Sequence, residues 1–287
     1  MTFLIALLAF APQAQDQPRR VTVLYDAFGA PSALERDWGF AALVEYGGRR
    51  ILFDTGNDAA IFERNVKSLG VDLTKLDAVV ISHRHGDHTT GLGFLLELNP
   101  DVSISAPEEG AFFKSSNPKE FLTPHPDLPP HLRYYGGHPP DEVVSGTPWN
   151  RGRFEIVKKT SEIFPGFFVL TTKSQKQGTV EMNEVSLAIR TPEGLAVIVG
   201  CSHPGVEKIL EEAAKVDPDL YAVTGGFHLV RTPEAEVRRV ADLLHDTLRI
   251  ERVAPGHCTS ELGFAVFQNV FRERFDAAGV GAVIPLP

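Results

Sequence analysis

The run His83-Arg84-His85-Gly86-Asp87-His88 constrains this chain more than any other feature. It sets three imidazoles and a carboxylate directly after residues 78–81, a short apolar, β-branched stretch that reads as a buried strand. Imidazole nitrogen and carboxylate oxygen suit Zn, Fe or Mn, and the glycine lets the backbone turn so that the side chains converge. A solvated loop carries one or two histidines by chance. Four donors packed this closely at a strand end point instead to a metal, so the fold has to bring that strand end to a place where more donors gather.

Three further histidines follow apolar stretches in the same way. They are His203 in Gly200-Cys-Ser-His-Pro-Gly, His228 in Gly225-Gly-Phe-His-Leu and His257 in Pro255-Gly-His-Cys-Thr-Ser. Taken singly, each reads as a cap or a satisfied core group. In an open sheet flanked by helices, however, strand carboxyl ends share one crevice, and there the three can join the first cluster. The chain has only two cysteines, Cys201 and Cys258, each within two residues of a histidine. They cannot build a disulfide framework. They read as inert buried thiols, as metal ligands, or as one disulfide in an exported protein.

From residue 21 onward, short apolar strands alternate with amphipathic helices, the pattern of an α/β chain folded as a single domain over residues 20–287. Strands are expected at 21–25, 40–46, 51–53, 78–81, 102–105, 185–189, 195–199, 220–223, 253–254 and 280–284. Helices are expected from an Asn57 cap to residue 69, at 91–98, from Pro204 to about 216, after a Thr232-Pro233 cap, and at 260–275. Residues 118–150 hold eight of the 21 prolines. They read as a long irregular insertion, either a lid over a substrate or a solvated spacer.

The apolar run at residues 3–10 reads as the core of a signal peptide over residues 1–15, which predicts an exported, periplasmic or extracellular protein; if the run is not a signal, the protein is expected to be cytoplasmic. No later segment is apolar enough to span a membrane. A net charge of -9 removes the broad basic surface that nucleic-acid binding needs and leaves a small molecule as the expected partner.

With these residues in view, the chain resembles the metallo-β-lactamase superfamily, whose H-x-H-x-D-H signature is matched by His83 to His88. The resemblance runs from Val21 nearly to the end, because Phe53-Asp54-Thr55-Gly56 before the run and the Gly-His strand end after it occur in family order. The GCSHPG, GGFHL and GHCTS segments are similar to the dihydropterin-aminobenzene ribofuranosyl phosphate synthase-like branch. The resemblance implies a four-layer αββα sandwich holding one or two ions, Zn foremost with Fe or Mn as alternatives. It implies that His83 and His85 bind a first ion, and that Asp87, His88 and His257 bind a second. The family's third histidine for the first ion has no counterpart near Glu162, and its bridging Asp is replaced by Gly200-Cys201-Ser202-His203. His203 is expected to complete the first site, with Cys201 or His228 as alternatives. Asp54 is expected to orient a ligand by a hydrogen bond, or else to cap the helix that follows.

The function implied is that of a metallo-hydrolase cleaving a small ester, phosphoester or lactone. Asp87 would orient or deprotonate the water, and His228 would act as general acid or hold substrate. Two other readings stand beside it. One is a dihydropterin-type synthase in which Tyr134, Tyr135 and Trp149 stack on rings; the other is a catalytically silent metal-binding or ligand-sensing module.

Overall fold

The computed structural model describes residues 17–109, 115–118, 122, 126–145, 152–175 and 182–287. The expected signal peptide lies outside them. In chain order the strands are β1 (Arg20–Tyr25), β2 (Ala41–Tyr46), β3 (Arg49–Phe53), β4 (Ala78–Val80), β5 (Ser103–Pro107), β6 (Ser115–Pro118), β7 (Glu142–Ser145), β8 (Arg153–Val157), β9 (Ser161–Phe164), β10 (Phe167–Lys173), β11 (Asn183–Thr191), β12 (Gly194–Val199), β13 (Leu220–Gly226), β14 (Arg252–Gly256) and β15 (Val283–Pro285). They build a seven-stranded sheet ordered β15-β1-β2-β3-β4-β5-β8, a six-stranded sheet ordered β14-β13-β12-β11-β10-β9, and the small β6-β7 hairpin. The helices are α1 (Ala59–Ser68), α2 (Gly86–Thr89), α3 (Leu92–Leu98), α4 (Val206–Ala213), α5 (Glu234–Asp242) and α6 (Glu261–Phe271).

Three separate apolar layers make this the expected four-layer αββα sandwich. Successive side chains of a strand point to opposite faces, so a strand covered on both sides must be apolar throughout. In β12, Ala196 and Ile198 face the other sheet, while Leu195, Val197 and Val199 face helices. The inner layer joins Val21, Val23, Ile51 and Phe53 of the first sheet to Val185, Leu187 and Ile189 of the second. Outside the second sheet, α4 contributes Val206, Ile209, Leu210 and Ala213, the 3.6-residue spacing of one buried helix face. Outside the first sheet lie Phe62 and Val66 of α1 with Leu92, Leu95 and Leu96 of α3.

This layout brings the chemistry to one edge. β3 and β4 run parallel, as do β12, β13 and β14, so five carboxyl ends open on that edge. The sheets meet there, with the Val185 backbone N–H donating to the Ser82 carbonyl at 2.8 Å. Gly200 sits at the junction: a Cβ on it would lie 2.2 Å from Ser82 Oγ, so no side chain fits.

Several local expectations change. The helix after Gly56 is capped by Asp58, whose carboxylate accepts from the N–H groups of Ala60 and Ile61; Asn57 instead lies outside the helix and reaches Asp37. Helix α5 starts after Pro233, which takes the N-cap position and has no side-chain acceptor to offer, so the helix has no side-chain cap. Ser260 caps α6 by accepting from Gly263 N–H, and the helix gives way to a 3-10 turn at Arg272. Strands β8, β9 and β10 carry no clear alternation and escaped the sequence reading. The proline-rich insertion is not wholly irregular: β6 and β7 pair antiparallel from Ser115 with Ser145 to Pro118 with Glu142, and short 3-10 turns lie between the two strands at Pro130–Leu132 and Tyr134–Gly137.

Candidate metal centre

His83 and His85 leave the end of β4, and His203 leaves the end of β12. Their ring centroids are 4.6–4.8 Å apart, each pair steeply tilted, with His83 Nε2 3.1 Å from His85 Nδ1. Three imidazoles turned inward like this repel one another when protonated. Burial first, then His88, His203 and His85, hold His83 well below the usual histidine range, and burial lowers His85 as well. His83 and His85 are thereby kept as neutral lone-pair donors.

A second set lies beside it. His88 Nε2, His257 Nε2 and Cys201 Sγ are mutually 3.2–3.3 Å apart, and Asp87 Oδ2 lies 3.4 Å from His257 Nε2 and 3.8 Å from His88 Nε2. A tetrahedral ion with bonds of about 2.0–2.3 Å requires donor separations of roughly 3.3–3.8 Å. The residues thus fit a bound divalent ion, whose first requirement is lone pairs aimed at a common point.

The outer nitrogens of His83, His88 and His203 each meet a polar group, Ser82 Oγ, Asp54 and Glu184 in turn, whereas His257 Nδ1 is buried with no hydrogen-bond partner among the described residues. His88 Nδ1 meets Asp54 Oδ2 at 2.6 Å, and Asp54 also accepts from the Ser82 backbone N–H and hydroxyl, both at 2.7 Å. Burial opposes charge on His88, but the Asp54 carboxylate outweighs it and pushes His88 up to about 9. Asp54 does not cap a helix; it fixes the ring so that Nε2 faces the other donors. Asp87 is held well below the usual carboxylate range, because His257 and His88 outweigh its burial.

Two supporting carboxylates were not foreseen. Glu184, fully buried at the start of β11, accepts from the N–H groups of Cys201, Ser202 and His203 at 3.2, 2.7 and 2.9 Å and faces His203 Nδ1 at 3.0 Å. Burial alone would raise its pKa, but His203 and these amides hold it below the usual range. Asp26, just past β1, accepts from His257 N–H at 2.8 Å. Nothing in an isolated strand marks Glu184. Asp26 could have been found, since it follows a strand end as Asp54 does. Backbone strain gathers here too: Asp54, Ser202, His228 and His257 hold φ between 45° and 62°, and they are four of the eight non-glycine residues with positive φ among those described.

The sets open into a cavity of about 510 Å³ lined by Trp38, His85, Asp87, Cys201, His203, His228, Val230, Arg231, Thr232 and Cys258. The structure thus brings together every expected site residue, places His203 with the first set and moves Cys201 to the second. His228 joins neither; its ring packs 4.4 Å from that of His203. Of the three expected aromatic side chains, only that of Tyr135 is described. Trp149 lies outside the described residues, as does the side chain of Tyr134, and Tyr135 does not line the cavity. Trp38 does, its ring 4.9 Å from that of His257.

Comparison with known proteins fits this geometry. The family described as "Metallo-beta-lactamase superfamily" matches residues 38–174, which contain the His83–His88 run. The 7,8-dihydropterin-6-methyl-4-(beta-D-ribofuranosyl)-aminobenzene-5'-phosphate synthase of Methanocaldococcus jannaschii is 30% identical over 278 residues, 91% of this chain and 93% of that protein. A solved metal-dependent hydrolase of the beta-lactamase superfamily is 26% identical with a TM-score of 0.70, over 93% of this chain and 99% of the other. Human tRNase Z, short form, at 14% identity and a TM-score of 0.54 over 93% of this chain and 99% of the other, shares the fold.

Proposed function

Because the chain belongs to the metallo-beta-lactamase superfamily, on the branch similar to the dihydropterin ribofuranosyl-aminobenzene phosphate synthase, we propose that it is a metal-dependent hydrolase of a small ester, phosphoester or lactone. The observation that carries this reading is the pair of donor sets opening into one cavity that Asp87 and His228 also line. His83, His85 and His203 would hold one ion, and Asp87, His88, Cys201 and His257 the other. Sulfur in the second set favours Zn over Mn. A Zn ion supplies Lewis acidity and a water whose pKa falls from about 16 to about 7.

The protein's own groups do the rest. Asp87, ionised and partly open to the cavity, orients the attacking water and accepts its proton. His228, beside His203 in the cavity lining, donates a proton to the leaving oxygen, a contribution of roughly 10²–10⁴ in rate. Trp38 and Val230 exclude water around an apolar part of the substrate. His85→Ala and Asp87→Ala should remove metal and turnover together, measured by elemental analysis and a panel of phosphodiesters, esters and lactones. Turnover by a metal-free His85→Ala protein would overturn the reading.

One observation favours a second reading. Identity of 30% across nearly the whole length supports a synthase that joins a reduced pterin to a ribosylated aminobenzene phosphate. Such precursors are cytoplasmic, so removal of residues 1–15 during export favours the hydrolase, whereas condensation of the two precursors by the purified protein favours the synthase. Full metal with neither activity would mark a binding module.

A further inference from the structure

We propose that Cys201, His228 and Cys258 form a third cation site, selective for a soft divalent ion such as Zn or Cd and sharing the Cys201 sulfur with the second set. Their donor atoms lie within 4.8 Å of one another, both cysteines are free thiols, and all three residues line the cavity. Three adjacent parallel strands deliver them, each two residues past a strand end: Cys201 after β12, His228 after β13 and Cys258 after β14. The register pairs Val199 with Gly225 and Gly226 with Gly256, which sets these positions side by side. The Leu229 N–H donating to the Cys258 carbonyl at 2.9 Å ties the last two turns together.

The space is built for sulfur. Gly226 carries no side chain where a Cβ would stand 2.8 Å from Cys258 Sγ and 2.5 Å from the Gly200 carbonyl. Two thiolates and an imidazole, with the cavity on the remaining side, make a Cys₂His set with an open fourth position. No carboxylate belongs to the trio, so Mg, Ca and Mn are poor occupants. With the second set filled, Cys201 has already given up its proton, and binding here releases the Cys258 thiol proton to solvent. An ion there also takes the His228 imidazole out of proton donation, so occupancy turns the cavity from an open site into a blocked one.

The test counts ions and does not depend on which reaction the protein catalyses. Protein whose first two sets have been filled with Zn is dialysed against Cd, with uptake read by elemental analysis and by the sulfur-to-metal absorption in the ultraviolet. Wild type should take up one further equivalent with growth of that absorption, and both Cys258→Ala and His228→Gln should lose the equivalent while keeping the first two. Two variants in different strands guard against a single misfolded one, and circular dichroism confirms each. The proposal is overturned if wild type takes up no more Cd than Cys258→Ala, or if the further equivalent survives in both variants.

Discussion

The two donor sets sit side by side yet are stabilised in opposite ways. His83, His85 and His203 offer imidazole nitrogens alone, one ring half-open to the cavity, and the carboxylate behind them is Glu184. The second set carries Asp87 and the Cys201 sulfur itself and is backed by Asp54 and Asp26, with His88, Cys201 and His257 buried. An ion in the first set would be bound by imidazoles alone, whereas an ion in the second would also have a carboxylate and a sulfur among its ligands. The second set should therefore release its ion last when a chelator is titrated in, which metal-by-metal dialysis measures.

Asp54→Ala should have the largest effect on that contrast. It strips a fully buried partner from His88 and from two Ser82 donors, and removal of one member of a buried pair costs about 3–5 kcal/mol. Chemical denaturation of the metal-free protein should show a loss of that size together with selective loss of the second ion. Loss of the first ion instead would break the comparison. Glu184→Gln should do the converse, because substitution behind a ligand typically lowers metal affinity about 10–100-fold. Competition with a chromophoric chelator should place that loss on the first ion. An equal effect on both would mean that Glu184 acts through the Cys201 amide more than through the His203 ring.

Acid and base should then separate the two sets in metal-free protein. His83 and His85 resist protonation when folded, so below about 6.5 the unfolded chain binds protons that the folded one refuses, and stability falls as pH falls. His88 behaves oppositely: its folded value of about 9 lies above the unfolded one, so its stabilisation is complete below about 6.5 and lost as pH rises through 9. Melting temperature against pH should peak near neutrality, and Asp54→Asn should flatten only the alkaline side. The smallest effect expected is from Trp38→Ala, a few-fold rise in KM with metal content unchanged, which kinetics on the best substrate of the panel would read.

How much of this was legible beforehand follows from the range of each interaction. The His83–His88 run announced itself because its donors are neighbours in sequence, and the strand-end histidines did so because apolar stretches mark strand ends locally. The partition between sets was not legible. Whether Cys201 or His203 faces His83 depends on a turn in which Ser202 holds φ 62° and three successive amides close on Glu184, a residue seventeen positions earlier than Cys201. That contact exists because β11 lies antiparallel to β12 with Leu187 opposite Ile198, a register set by packing of the two inner faces. The place of Trp38 in the cavity wall was not legible for the same reason. Trp38 reaches the cavity because its loop is pinned by Asp37 to Tyr25 and Asn57 and by the Phe40 N–H to the Asp87 carbonyl.

The amino-acid sequence by itself thus determined the donor inventory, the alternation of strands and helices, and the expectation that chemistry gathers at strand carboxyl ends, since each is written in short-range spacing and side-chain type. Only the tertiary structure decided which donors share an ion, which carboxylates stand behind them, and that Cys258 and His228 come together. Those outcomes hang on the angle and register at which two separately patterned sheets close over a common core, and the chain encodes these only through the sum of many long-range contacts.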